Sequence, residues 1–83
     1  MKVIFTKQAE TDLEQIADYI ALDNPIRALS FIEEIEQKCL SIGDIPKAFP
    51  IVSELIELGI RKRVYLNYSI FFCIESNQVF IIR

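Results

Sequence analysis

Two helical periodicities meet at Asp23-Asn24-Pro25, and that junction limits what the chain can fold into more than any other stretch. Upstream, Ala9, Leu13, Ile16, Ala17 and Ile20 recur at the spacing of one face of an amphipathic helix, with Glu10, Asp12, Glu14 and Asp18 on its other face. Downstream, Ala28, Phe31, Ile32, Ile35, Cys39 and Ile42 define a second apolar face. Asparagine accepts bonds from the orphan N–H groups of a helix start, and proline at the first helical position gives up no needed donor, so the second helix begins here. Joined by so short a turn, the two helices run antiparallel and show their apolar stripes to a common neighbour. Gly43 is expected to stop the second helix by taking a positive φ.

The common neighbour is expected to be a sheet. Lys2-Val3-Ile4-Phe5 reads as a first strand, and Thr6 as the start of the first helix. The C-terminal part divides into strands near Ile60–Leu66, Tyr68–Glu75 and Gln78–Arg83, with Ser76-Asn77 at a hairpin tip. In the first of these, Arg61, Arg63 and Tyr65 share one face, while Ile60, Lys62, Val64 and Leu66 share the other. The second is apolar on both faces, the pattern of a central strand covered on both sides. Asp44 to Pro50 is a proline-punctuated loop that Phe49 anchors to the core, and Glu54 to Gly59 is a further irregular turn. The expectation is a single α+β domain over residues 1–83, ordered β-α-α-β-β-β, with a helical hairpin packed on an antiparallel sheet.

Composition bounds the function. Eighty-three residues, 52% of them hydrophobic with two glycines, make a compact globule whose core is small. The longest apolar run, Ile70 to Ile74, falls far short of the roughly 18 residues needed to span a bilayer. The first residues also lack the apolar length of a signal peptide, so the expected compartment is the cytoplasm, without membrane association. Cys39 and Cys73, each in apolar surroundings, read as buried thiols in a reducing compartment. The net charge of −3 conceals an asymmetry: residues 8–57 carry three basic against eleven acidic groups, and residues 58–83 carry four against one. An acidic chain does not suit direct nucleic-acid binding through a broad basic surface, although a local basic site stays open.

The chain has no histidine, which removes the commonest proton-transfer group and the commonest metal ligand. Glu10/Glu14 and Glu14/Asp18 are carboxylate pairs on a solvated helix face, and no cofactor, metal ligand set or catalytic nucleophile is expected. Cys73 in an apolar strand is expected to have a raised thiol pKa. Arg61 and Arg63 are the best polar candidates: two residues apart on a strand, with Cα atoms about 6.5–7 Å apart, they can clamp neighbouring phosphates or carboxylates. Tyr65 on the same face can stack on a base or a partner arginine. The alternative is that both arginines pair with the acidic helices or guard an edge strand against unwanted pairing. The residues alone leave both readings open.

The ordered set of Ala9 with Asp12-Leu13, Ile16 with Tyr19-Ile20, Asn24-Pro25 with Ala28, the Pro46 and Phe49-Pro50 loop, Gly59-Ile60-Arg61, Asn67-Tyr68 and Val79 to Arg83 resembles the RelE/ParE superfamily of toxins, in its ParE-like branch. The resemblance covers essentially the whole chain. It implies the β-α-α-β-β-β fold, a cognate antitoxin whose C-terminal segment wraps the toxin in a groove between helices and sheet, and DNA gyrase as the target, inhibited by binding rather than catalysis. A role in plasmid stabilisation goes with it. Target contact is then expected at Arg61, Arg63 and Arg83. RelE-like relatives instead cut messenger RNA on the ribosome; in that alternative Arg61, Lys62 and Arg63 hold the phosphate while Tyr65 or Tyr68 assists. A third alternative is an antitoxin-sequestering module without a toxic target. The family pattern usually continues past the position of Arg83 with a short tail, and this sequence is expected to be a truncated or naturally tailless form.

Overall fold

The structure, a computed structural model, describes residues 1–83, leaving out the side chains of Leu55 and Ile56. Strand β1 (Lys2–Phe5) is followed by helices α1 (Lys7–Ala21) and α2 (Pro25–Ile42), two 3-10 turns (Pro46–Ala48 and Ser53–Leu58), and strands β2 (Arg61–Tyr65), β3 (Tyr68–Glu75) and β4 (Gln78–Ile81). The α+β order is the expected one, with a helical hairpin on one face of a four-stranded sheet.

Local chemistry sets the helix starts. Thr6 Oγ1 accepts from the Ala9 N–H at 3.2 Å and donates to the Ile81 carbonyl at 2.7 Å, so one side chain caps α1 and ties it to β4. Asn24 Oδ1 accepts from the Arg27 N–H at 3.0 Å, and Pro25 follows at the first helical position. Such caps contribute about 1 kcal/mol each.

Gly43 ends α2 for a different reason from the one expected. Its φ is −59°, an ordinary helical value. A Cβ there would collide with the Met1 carbonyl oxygen and sit 2.9 Å from Val3 Cγ2, and the Gly43 carbonyl accepts from the Met1 ammonium at 2.7 Å. The residue is small because β1 passes against it.

The sheet runs in the order β1-β4-β3-β2. Two of its pairings are antiparallel, but β1 lies parallel to β4, with Val3 beside Val79 and Phe5 beside Ile81. Parallel neighbours need a long crossover, and here the helical hairpin and both later strands provide it. Ser76 and Asn77 close the β3–β4 hairpin with φ of +49° and +62°, the left-handed pair that matches strand twist.

The core joins Phe31, Ile35, Cys39 and Ile42 of α2 to Ile70 and Phe72 of β3 and Val79 and Ile81 of β4. Phe49 packs against it, its ring edge-on to Phe72 with centroids 6.0 Å apart. On the opposite face of the sheet from Ile70 and Phe72, Phe71 and Cys73 are only half-buried. The expectation of a β3 covered on both sides, and of a buried Cys73, is therefore corrected: the second apolar row is only partly buried. Both cysteines are free thiols; burial pushes Cys39 up to about 11 and raises Cys73 as well. Among the described residues no helix is long and apolar enough to cross a membrane.

Candidate functional site

Strand register decides which way the basic triplet points. Arg61 lies beside Phe72, Arg63 beside Ile70 and Tyr65 beside Tyr68, so all three occupy the face of β2 that meets the helices. Lys62 lies beside Phe71 on the opposite face.

Helix α2 has no basic residue in its last turn, where backbone carbonyls concentrate negative charge. Arg63 supplies that charge from the sheet. Its guanidinium donates to the Lys38 carbonyl at 2.9 Å and to Ser41 Oγ at 2.6 Å, and lies 4.9 Å from the centroid of the Phe49 ring. Arg61 donates to the Phe49 carbonyl at 2.7 Å and reaches the Lys47 carbonyl at 3.4 Å. The two arginines thus hold the end of α2 and the loop after it against β2. Neither pairs with a carboxylate, as one sequence reading had it: the ion pairs among the described residues are Arg27–Glu34 and Arg83–Asp12.

Further along the same seam, Tyr65 Oη donates to Glu34 Oε1 at 2.5 Å and Arg27 donates to Glu34 Oε2 at 2.5 Å. Lys38 Nζ stands 5.6 Å from the centroid of the Tyr65 ring. The hydrogen bond from Arg27, then that from Tyr65, holds the Glu34 carboxyl below its ordinary range. The same bond to Glu34, helped by desolvation, raises the Tyr65 phenol, and Glu34 raises Arg27. Glu34 is therefore an ionised acceptor already serving two donors, and Tyr65 keeps its proton. Neither is tuned toward neutral pH, where general acid–base catalysis works best. Sequence reasoning missed Arg27, Glu34 and Lys38. The available signal was the Glu34–Lys38 spacing of four on a helix, which places two opposite charges on one face.

Arg83 and Tyr68 belong to a second place. Arg83 Nε donates to Asp12 Oδ2 at 3.1 Å, and the Tyr68 ring packs on Phe31 with centroids 5.1 Å apart. Between α1 and β3 an open cleft of about 480 Å³ is lined by Asp12, Ile16, Tyr19, Tyr68, Phe71 and Arg83. The three arginines expected at a target contact are thus divided: Arg61 and Arg63 at the end of α2 and the loop after it, Arg83 in the lining of this cleft.

Comparison with known proteins fits this geometry to a family. No curated protein matches the chain. Among solved structures, one described as the chromosomal ParDE TA system from P. aeruginosa superposes with a TM-score of 0.85 at 20% identity, covering 100% of this chain and 91% of that one, and so shares the fold. The sequence model of the ParE toxin of type II toxin–antitoxin systems, parDE, matches residues 3–83. A match over nearly the whole length, on the same helical hairpin and four-stranded sheet, shows that this chain belongs to the ParE toxin family.

Proposed function

We propose that this chain is a toxin that a cognate antitoxin neutralises and that inhibits DNA gyrase by binding it. The family match supports the toxin role, and the structural relative is named for a ParDE toxin–antitoxin system. The cleft between α1 and β3 suits a segment of the antitoxin, its lining combining Ile16, Tyr19, Tyr68 and Phe71 with the charged pair Asp12 and Arg83. Its compartment is the cytoplasm, where gyrase works, and its biological use is plasmid stabilisation.

One observation favours binding over RNA cleavage: the groups a ribonuclease would need do not converge. Arg61, Arg63 and Tyr65 are engaged inside the fold, Lys62 points to the far side of the sheet, and Tyr68 packs on Phe31. Cutting RNA by attack of a 2′-hydroxyl requires a base, an acid and cations gathered round one phosphate. Arg83, whose side chain is 63% exposed, is the most available of the proposed target contacts; Arg61 and Arg63 are partly exposed, but their guanidinium groups are already bonded within the fold and would contribute less.

The test is supercoiling of relaxed plasmid by purified gyrase in the presence of the chain. Inhibition that the antitoxin relieves, and that weakens in Arg83→Ala, is expected. Untouched gyrase together with cleavage of ribosome-bound message would overturn the gyrase reading in favour of the ribonuclease.

A further inference from the structure

Behind the cleft between α1 and β3 the core is not completely filled. A cavity of about 70 Å³ is walled by Ala9 and Leu13 of α1, Phe31 and Ile35 of α2, and Ile70 and Ile81 of the sheet. Asp12, Ile16, Tyr68, Ser69 and Arg83 line both this cavity and the cleft of about 480 Å³, so the two form one space that narrows from solvent into the core. The narrow part is bounded by buried hydrocarbon. An apolar void of that kind stays dry, and its walls lack the contact atoms that a guest would supply.

Where cavity and cleft meet, hydrogen-bond donors gather. Arg83 gives its Nε–H to Asp12 Oδ2 at 3.1 Å, its side chain is 63% exposed, and a guanidinium has further N–H groups to give. Tyr68 and Ser69 bring hydroxyl groups to the same junction. Asp12 is the one carboxylate among the lining residues. Its Oδ2 is met by Arg83 and its Oδ1 by Gln8 Nε2 at 2.8 Å, so both oxygens are already served within the fold. A hydrocarbon void with a few donors converging at its entrance has the form of a small-molecule site. Size then narrows the guest. A cavity of roughly 150 Å³ takes benzene; this one, with about half that volume, is too small for an aromatic ring but takes the end of an alkyl chain.

We propose that this space binds a straight-chain aliphatic carboxylate, with the alkyl tail in the cavity between the helices and the sheet and the carboxylate on Arg83. A guanidinium meets a carboxylate through charge-assisted N–H bonds, which an alcohol or an amine at the same place cannot reproduce. Each methylene that leaves water for the cavity strengthens binding about fourfold. The site is made by this chain alone. It depends neither on gyrase being the target nor on the cleft also receiving a segment of the antitoxin.

Titration of the full chain with butanoate, hexanoate, octanoate and decanoate, followed by backbone amide NMR, tests it. Affinity is expected to rise about fourfold per methylene and to level off by decanoate as the cavity fills, with the shifts centred on Ala9, Leu13, Ile35 and Ile70. Octanol and octylamine should bind about tenfold more weakly than octanoate, and Arg83→Ala should erase that preference without changing the fold. Ala9→Val, which adds methyl groups to the cavity wall, should weaken octanoate and bring the levelling-off to a shorter chain. The ring-ended 3-phenylpropanoate should bind more weakly than octanoate. Absence of saturable binding, shifts that map away from the cavity, affinity that keeps climbing past decanoate, or equal binding of octanol and octanoate would each overturn the assignment.

Discussion

The inner row of β2 and the turn between the helices hold side chains in the reverse of the places their polarity suggests. Arg61, Arg63 and Tyr65 face the helix layer and are bonded within the fold, whereas Tyr19, Leu22, Ile26 and Leu29 face water. A polar group whose partners are internal has little binding energy left for another molecule, because each new bond would replace one already made. An exposed apolar side chain still has its whole burial to gain, on the order of 1.5–3 kcal/mol for a leucine or isoleucine. Unmet demand, rather than polarity, distinguishes a working surface from a structural one.

The sharpest way to break this contrast is to remove Arg63. Arg63→Ala loses bonds to the Lys38 carbonyl and Ser41 Oγ and the contact with Phe49, and should cost about 2 kcal/mol in urea unfolding. Arg63→Lys should recover only part of that, since an ammonium lacks the planar fork that reaches two acceptors. An Arg63→Ala chain as stable as the parent would return the residue to the surface and undo the comparison.

A smaller effect is expected from pH. Glu34 is held below its ordinary value by Arg27 and Tyr65, so its stabilisation is present above the unfolded glutamate pKa and is lost as pH falls through the lower folded value. Tyr65 is raised above its ordinary value of 10.0, so its stabilisation is present below that value and is lost as pH rises through the higher folded one. Thermal unfolding across both limits should therefore show Tm falling at each, and Tyr65→Phe should flatten the acid and the alkaline limbs together. Solvent screening keeps both changes small. A variant with unchanged slopes would mean that the Glu34–Tyr65 bond is not populated in solution.

The smallest shift belongs to the helical turn. Leu22→Ser and Leu29→Ser should each alter stability by less than about 0.5 kcal/mol in the same urea experiment, because these side chains touch little of the fold. A loss of 1 kcal/mol or more would show that they pack on the protein and have no spare surface to offer.

Much of the architecture was legible where local chemistry carries it. Thr6 and Asn24-Pro25 set both helix starts, and Ser76-Asn77 set the last hairpin, because caps and left-handed turn residues act within a few positions of themselves. Alternation likewise grouped Arg61, Arg63 and Tyr65 on one face. What it left open was whether that face meets the helices, which depends on register against Ile70 and Phe72 of another strand. The parallel pairing of β1 with β4 was hidden for the same reason, since nothing in Lys2–Phe5 names a partner more than seventy residues away. Gly43 was identified for its freedom of φ, yet its constraint is the passage of Met1 and Val3 beside it. Glu34 looked like one more carboxylate on an acidic helix until the fold brought Tyr65 to it.

The placing of β4 between β1 and β3 also governs the order in which the molecule can assemble. The helical hairpin and the β2–β3 hairpin depend on near neighbours in sequence, so both can form early. Strand β1, the first in chain order, has β4 as its one strand neighbour among the described residues. It must wait for residues 78–81, more than seventy positions further along, and the entropy of closing that long loop falls due when they pair. Until residues 78–81 arrive, a growing chain presents its helices without a completed sheet beneath them.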